Sequence, residues 1–410
     1  MVGQLDTHTL GFVDKLQCTV QTYAWGNPTA IPELLGVPPS GEPQAEMWMG
    51  AHPKAPSTLV SSGVSLDEHI AADPTAALGP ATAERFGRLP YLFKVLAAGK
   101  PLSIQAHPSL EQAKAGFARE DAAGIALDAF TRTYRDDNHK PEMICALTPF
   151  VGRCGFRALA ATRSLFGDLI ATQPDSPLLV EIGDRLAAAG ADADVLADVL
   201  AWLLRLDNND TAPLVAATVA GARIVVDAGD SEWTEEFTWC ERMNAEFPSD
   251  IGVVVALLLN HVVLEPGQAF FLGAGNLHAY LDGVGVELMA NSDNVVRGGL
   301  TPKHIDVEEL LAVVDCTPID PPVQSPSGAV HTFDASVPEF ALTRIELAAA
   351  GVPATVVGPE IVIVTEGAAI LTGAMERVEL NGGEVAFVAA SDGDYTISGS
   401  GTAFRATVNG

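Results

Sequence analysis

The pattern of hydrophobic and polar positions changes twice along the chain. Up to residue 156 the apolar runs are short and are separated by glycine and proline, as in LPYLFKVLAAGKPLSIQAHP (89–108). This segment predicts two strands joined by a turn at 99–101, and PEMICALTPFVGRCGF (141–156) predicts another strand with a proline-containing exit. Short apolar runs between glycine and proline turns are typical of β structure.

Alanine and leucine dominate residues 157–250, and the apolar spacing there becomes helical. In ADVLADVLAWLLRL one helix face carries Val195, Leu196, Val199, Leu200, Leu203 and Leu204. The stretch WTEEFTWCERMNAEF spaces its apolar positions by three or four residues, at Phe237, Cys240, Met243 and Phe247. We therefore predict an α-helical subdomain inserted between β segments.

From residue 262 the tight turns return, as in VVLEPGQAFFLGAGNLHAYLDGVGVELM (262–289), which predicts antiparallel strands. A proline-rich stretch, CTPIDPPVQSPSG (316–328), predicts a linker to a last β module. The predicted fold is mainly β with a helical insertion. Its predicted divisions are 1–156 and 251–320 for the first β domain, 157–250 for the helical subdomain and 321–410 for the C-terminal β domain.

The net negative charge of the chain limits the classes of binding partner that are expected. The chain has 410 residues and a net charge of −29, with 52 acidic against 23 basic residues. Nucleic acids and anionic membranes need a basic surface, so neither is expected as a partner. The same charge repels other copies of the chain, and we expect a monomer. An anionic substrate remains compatible with this charge if it binds in a local positive pocket.

Cysteine usage and the absence of an export signal favour the cytoplasm. The five cysteines are widely spread and form no C-x-x-C motif, which argues against a disulfide framework or a cysteine zinc site. The N-terminal stretch MVGQLDTHTLGFVDKL lacks the basic start and apolar run of a signal peptide. The most apolar stretch, 251–264, is too short to span a bilayer and contains Asn260 and His261.

Four segments carry most of the candidate chemistry: PLSIQAHPS, DDNHKPEM, FLGAGNLHAYL and NSDNVVRGGLTPKHI. Because a strand alternates its faces, Gln105 and His107 are predicted to point the same way. Each segment also has an ordinary explanation taken alone. Gln105 and His107 can form a polar strand edge, His278 can be a hydrogen-bonded core histidine, and Arg297 can be a surface cation.

The spacing of the third segment argues for a metal site. Gly267, Gly273, Gly275 and His278 are spaced as in the second metal motif of the cupin superfamily, although that motif has proline at 273 and asparagine at 282. Gln105-Ala106-His107 resembles the His-x-His of the first cupin motif, with glutamine in the first place. A glutamine oxygen, two imidazoles and a carboxylate suit zinc, manganese or iron(II), of which zinc is the commonest occupant.

Taken together, the segments closely resemble the type I phosphomannose isomerase family. AEMWMGAHPKAPS, LSIQAHP, DNHKPEM, GNLHAYL and MANSDNVVRGGLTPKHID match that family in order, over residues of about 16–307. The resemblance implies a metal-bearing cupin jelly roll, a helical insertion, and a second jelly roll without metal. It implies one Zn²⁺ per chain, bound by Gln105, His107, Glu142 and His278. One departure is Asp137, where the family often has proline, and this position is not a ligand.

The resemblance also implies a sugar phosphate substrate: interconversion of mannose 6-phosphate and fructose 6-phosphate through a cis-enediol. The predicted catalytic residues are Arg297, Lys140 and Asp293, and the predicted substrate-binding residues are Ser103, Lys303, Glu46 and His139. The residues leave open which group moves the C2 proton. The residues are also compatible with two other functions, an iron(II) cupin oxygenase and a non-catalytic cupin that binds sugar phosphates.

Overall fold

The structure is a computed structural model that describes residues 13–374 and 376–409. The stretch 1–12, which holds most of the N-terminal sequence inspected for a signal peptide, lies outside the described residues. The strands, in chain order, are β1 Asp14–Gln17, β2 Thr19–Gln21, β3 Glu46–Met49, β4 Thr58–Leu59, β5 Tyr91–Ala98, β6 Ile104–Ala106, β7 Glu142–Ala146, β8 Phe150–Phe156, β9 Leu259–Leu264, β10 Ala269–Leu272, β11 His278–Ala290, β12 Val296–Gly299, β13 Val330–Thr332, β14 Ala341–Leu347, β15 Val352–Ala354, β16 Glu360–Thr372, β17 Arg377–Asn381, β18 Val385–Val388 and β19 Tyr395–Thr407. The α-helices are α1 Ala30–Leu34, α2 Leu66–Ala72, α3 Pro74–Leu78, α4 Pro80–Phe86, α5 Leu110–Ala122, α6 Leu159–Thr172, α7 Pro177–Leu186, α8 Asp192–Leu204, α9 Asn208–Ala228, α10 Thr234–Glu246, α11 Gly252–Val255 and α12 Val307–Val313.

The first β assembly is organised around the long strand β11. Its first half pairs with β6 and β8, and its second half, after an irregularity between Tyr280 and Asp282, pairs with β5 and β7. One strand therefore belongs to both walls of the barrel. Residues at the start of β11 consequently lie beside strand β6, which carries the predicted Gln105.

The second β assembly is a nine-stranded sheet built mainly from the C-terminal residues. Strand β1, which lies in the segment 1–156, pairs antiparallel with β18 of this sheet. The Tyr91 hydroxyl donates to the carbonyls of Pro359 and Ala406 at 3.0 and 3.2 Å, so the two assemblies also share buried polar contacts. The fold class is mainly antiparallel β with helices, as predicted, while the exact domain boundaries stay a prediction.

The helical segment forms as its spacing predicts. The apolar face of α8 is buried at Val195, Leu196, Val199, Leu200, Leu203 and Leu204. In α10 the positions Phe237, Cys240 and Met243 are buried, and Phe247 caps the helix. The prediction for 141–156 was wrong in one detail: the segment contains two strands, β7 and β8, because the chain turns at 147–149.

One described helix, α9, is long and apolar enough to cross a membrane by length and composition. It contains Pro213 and packs in the helical subdomain, where Leu214, Val215, Ala222 and Val225 are buried. Core helices of globular domains commonly pass the same length and composition test. This helix is therefore weak evidence for a membrane location.

Candidate metal centre

The site forms where strands β6, β11 and β12 lie side by side. Gln105 is directly opposite His278 of β11 and directly opposite Arg297 of β12. Directly opposed residues in antiparallel strands project from the same face, with their Cβ atoms close together. The pairing therefore brings an amide, an imidazole and a guanidinium into one row, from segments far apart in the sequence.

Three buried side chains converge here, one of which, His278, also belongs to this row, and we call His107, Glu142 and His278 the metal cluster. Their potential ligand atoms all lie within 4.8 Å of one another. His107 Nε2 is 3.3 Å from Glu142 Oε1, and His278 Nε2 is 3.4 Å from Glu142 Oε2. Each of the three residues is only 1% exposed. The cluster can thus surround one small ion.

The second nitrogen of each imidazole is fixed by a backbone carbonyl. His107 Nδ1 lies 2.8 Å from the Asn294 carbonyl oxygen, and His278 Nδ1 lies 3.0 Å from that of Asn276. A carbonyl only accepts hydrogen bonds, so each Nδ1 must carry the proton. Each Nε2 is then left with a lone pair that points into the metal cluster, which is the arrangement usual for histidines that bind metals.

The metal cluster fits a zinc ion. His107 Nε2, His278 Nε2 and Glu142 Oε2 are buried, and none has a hydrogen-bond partner within the described residues. Buried polar atoms are normally satisfied, so three such atoms facing one another call for a shared cation. Two nitrogens and a carboxylate oxygen, with the neighbouring Gln105 amide, form a donor set that zinc accepts.

Lys140 is the charged neighbour of the metal cluster. Its Nζ is 2.8 Å from Glu142 Oε1. Burial alone raises the pKa of Glu142, but Lys140 and His107 hold it well below its ordinary value. Burial lowers the pKa of His107 to about 4. The geometry therefore presents an ionised carboxylate and a neutral imidazole, the protonation states in which both bind metals.

A cavity of about 340 Å³ has a lining that includes Arg135, Arg297, Lys303 and Asp293, and strand register places Arg297 opposite Gln105. Burial and Arg135 lower the pKa of Arg297, and burial and Arg297 lower the pKa of Lys303. The three cations are therefore close enough to repel one another. Arg297 lies in strand β12, whereas Lys303 lies in the loop that follows, so the two share a segment but not an element.

Two residues near this cavity, Arg135 and Asn294, were not predicted from the sequence. Arg135 precedes the NHKPE motif, and only its charge distinguishes it from other loop residues. Asn294 is fully buried, and its side chain accepts from the Arg135 amide at 2.7 Å and donates to the Asp136 and Asn138 carbonyls, both at 2.8 Å. Asn294 thereby joins the two loops that flank the cavity.

Three of the other predicted site residues lie in different surroundings. The Asp293 carboxylate is 2.7 Å from Lys54 Nζ and one-third exposed at the cavity. His139 Nε2 is 2.8 Å from Glu339 Oε1, which belongs to the C-terminal segment. Ser103 is half-buried just before β6, and its side chain forms no hydrogen bond to another described residue. These three residues thus differ widely in how free they are to meet a substrate.

Glu46 is held in a buried network that also contains two groups missed by the sequence, Lys94 and Glu287. Lys94 Nζ is 2.5 Å from Glu287 Oε2 and 3.2 Å from Glu46 Oε1. Burial by itself would lower the pKa of Lys94. The carboxylates of Glu287 and Glu46 outweigh this effect and raise the pKa above its ordinary value, so the lysine stays charged. The only signal in the sequence is a lysine inside the apolar strand PYLFKVLAA.

The chain is similar to known proteins over most of its length. The catalytic-domain model of type I phosphomannose isomerase matches residues 13–159. The mannose-6-phosphate isomerase of Escherichia coli K12 is 40% identical over 401 residues, covering 96% of this chain and 99% of that protein. The rat protein of the same name is 32% identical, covering 93% of this chain. A crystal structure of mannose 6-phosphate isomerase from Salmonella typhimurium, with bound fructose 6-phosphate and zinc, is 38% identical with a TM-score of 0.87, covering 97% of this chain and all of that chain.

Proposed function

The chain belongs to the type I phosphomannose isomerase family, and we propose that its zinc ion is held by the metal cluster together with Gln105. The protein is an aldose–ketose isomerase that interconverts mannose 6-phosphate and fructose 6-phosphate in a metal-dependent reaction. The observation that carries the site assignment is the set of three buried ligand atoms without partners.

Zinc, when bound, supplies Lewis acidity that polarises sugar oxygens placed next to it. The protein must supply the rest: a grip on the phosphate, a positive group at the developing enediolate, and groups that carry the proton between C1 and C2. Each of these needs can be assigned to side chains beside the metal cluster.

The proposed grip on the phosphate is formed by Lys303 and Arg135, which line the cavity. The chain as a whole carries a net charge of −29, so a phosphate needs a local cluster of cations to bind here. Binding energy from this remote group also positions the reacting carbons, because the sugar is anchored at its far end.

Arg297 is the proposed stabiliser of the enediolate. By strand register it lies next to Gln105, whereas Lys303 lies in the loop after β12. Its permanent charge and planar donors suit an oxyanion formed at O1 or O2. Repulsion by Arg135 and burial, which lower its pKa, both favour binding of an anion here.

Lys140 and Asp293 are the proposed groups for proton transfer, since Lys140 contacts the metal cluster and Asp293 borders the cavity. His139 and Glu46 are assigned supporting roles. His139 is hydrogen-bonded to Glu339, and Glu46 accepts from Trp48 Nε1 at 2.7 Å while paired with Lys94. Ser103 is kept as a substrate contact because it immediately precedes β6.

The site acts, in this proposal, within a monomer in the cytoplasm. All five cysteines are free, and Cys145, Cys154 and Cys240 are buried. Unpaired buried thiols are usual in reducing compartments. The high negative charge keeps copies of the chain apart.

An assay that follows fructose 6-phosphate formed from mannose 6-phosphate tests this function directly. The purified protein is expected to turn over with zinc bound and without consuming oxygen. Binding of the sugar phosphate without turnover would identify a non-catalytic cupin. Oxygen uptake that depends on iron(II) would identify an oxygenase.

A further inference from the structure

A second buried charged group lies on the opposite side of the catalytic sheet. Arg153 is in β8, directly opposite His261 of β9 and Ala279 of β11. Its neighbour Cys154 is opposite His278 and therefore faces the metal side. Because side chains alternate along a strand, Arg153 and His261 point outward, towards the helical subdomain.

The donors of this group have no acceptors. Arg153 is fully buried, and its Nε, Nη1 and Nη2 atoms lack hydrogen-bond partners among the described residues. The same is true of both ring nitrogens of His261 and of Nε of Arg157. We call Arg153, Arg157 and His261 the arginine cluster. A guanidinium offers five N–H groups and accepts nothing, so the cluster lacks acceptors rather than donors.

The charges of the arginine cluster do not balance. Arg157 is paired with Glu236 at 2.9 Å and lies 4.7 Å from the ring of Trp233. Arg153 has no carboxylate within ion-pair distance among the described residues. The other nearby acid, Glu235, is exposed and reaches only His261, at 3.9 Å. One buried positive charge is thus left without a counter-ion, an arrangement that is strongly destabilising in proteins.

Protonation does not remove this charge. Burial and Arg157 lower the pKa of Arg153 to about 10, so the guanidinium stays charged at neutral pH. Burial and Arg153 lower the pKa of His261 to about 3, which leaves its imidazole neutral and able to donate one hydrogen bond. The buried thiol of Cys240 next to Arg153 has its pKa raised by burial to about 12 and supplies no negative charge.

We propose that the arginine cluster binds a small monovalent inorganic anion of the halide class, with chloride as its ligand. One negative charge balances Arg153, and a spherical anion accepts several N–H groups at once. A water molecule can accept hydrogen bonds but brings no charge, and a phosphate dianion overcompensates a single positive charge. The anion would lie between the catalytic jelly roll and helix α10, because Arg157 of the arginine cluster pairs with Glu236, a buried residue of that helix.

Crystals of the zinc-loaded protein grown in sodium bromide test the site directly. Bromide scatters anomalously and replaces chloride. An anomalous peak within hydrogen-bonding reach of the Arg153 guanidinium is expected. A refined water there, with no anomalous signal at bromide concentrations that label other sites, would overturn the proposal.

Thermal unfolding tests the same site in solution. Sodium chloride is compared with sodium gluconate at equal ionic strength, because gluconate is too large for a buried site. The wild-type Tm is expected to rise by roughly 1–3 °C for each tenfold increase in chloride above its dissociation constant. In Arg153→Met this dependence disappears, while Arg377→Met, which removes an exposed arginine of the C-terminal domain, retains it. A wild-type Tm that is equal in the two salts would contradict the proposal, even if Arg153→Met failed to fold.

Discussion

His139 Nε2 lies 2.8 Å from Glu339 Oε1, so the loop that precedes the metal cluster is tied to the C-terminal β domain. His139 is followed by Lys140 and, two residues later, by the ligand Glu142. Glu339 is only 6% exposed. The C-terminal domain carries no metal site of its own in our proposal, yet it supports the loop that positions one.

This contact predicts a stability that depends on pH. Burial alone raises the pKa of Glu339, but the hydrogen bond from His139 lowers it below its ordinary value of 4.5. A carboxyl group whose pKa is lower in the folded state than in the unfolded state stabilises the fold at any pH above its unfolded-state pKa. This stabilisation is lost as the pH falls through the folded-state pKa. Glu339→Gln should therefore lower the free energy of unfolding by about 0.5–2 kcal/mol at pH 7, with a smaller loss near pH 3. Urea unfolding at both values measures this.

The control for that experiment is Glu379→Gln, which changes a carboxylate 70% exposed in the same domain. It should leave the free energy of unfolding nearly unchanged at both pH values. If Glu339→Gln lowered the free energy of unfolding equally at pH 7 and pH 3, the contact would stabilise the fold by packing and not through the charge of the carboxylate.

Lys303 is expected to control substrate affinity. Lys303→Met should raise KM for fructose 6-phosphate by roughly 10–100-fold, because a hydrogen bond to a charged group is lost. Lys114→Met, at an exposed position of α5, is the matched control and should leave KM unchanged. Steady-state kinetics with both variants decide the matter. An unchanged KM in Lys303→Met would remove this lysine from the phosphate site.

Arg297 is expected to control rate more than metal binding or fold. Arg297→Ala should lose about 10²–10³ in kcat, as is usual when a charge is removed from a developing oxyanion. Arg297→Lys should also be slow, because one ammonium does not replace a planar pair of donors. Zinc content measured alongside should match the wild type. Normal turnover by either variant would show that Arg297 has no part in the reaction.

Proton transfer through an enediol predicts exchange with solvent. A reaction run in D₂O should place deuterium at C2 of mannose 6-phosphate or C1 of fructose 6-phosphate, and NMR detects it. Partial exchange is sufficient, because a shielded base can return the original proton. Strictly no exchange over many turnovers, with a C2 label retained at C1, would instead indicate hydride transfer and exclude Lys140 and Asp293 as proton carriers.

Local pattern predicted the buried face of α8, because helical spacing is a property of the sequence alone. Alternation along one strand predicts that Gln105 and His107 point the same way, and this stays a prediction because β6 ends at Ala106, one residue before His107. The other imidazole, His278, was singled out by its cupin-like spacing, and the carboxylate Glu142 was assigned only through the family resemblance. Their distance from His107 depends on how strands far apart in sequence pair, which no local pattern contains.

The same limit explains what was missed. Lys94 and Glu287 are directly opposite each other on β5 and β11, and Arg153 and His261 on β8 and β9. Each residue alone resembles an ordinary polar position in a strand. Their pairing depends on the register of strands that are far apart in sequence, and their burial depends on packing against another element. Both are properties of the folded chain.

The most direct test of the central claim is a zinc titration of the metal-free protein, with bound metal and mannose 6-phosphate turnover measured on the same samples. Turnover should vanish after exhaustive chelation and return in proportion to zinc, reaching its maximum at one ion per chain. His107→Ala should bind well below one equivalent and stay inactive, while His331→Ala, in the C-terminal domain, should titrate like the wild type. Full turnover by protein shown to contain no metal would contradict the account.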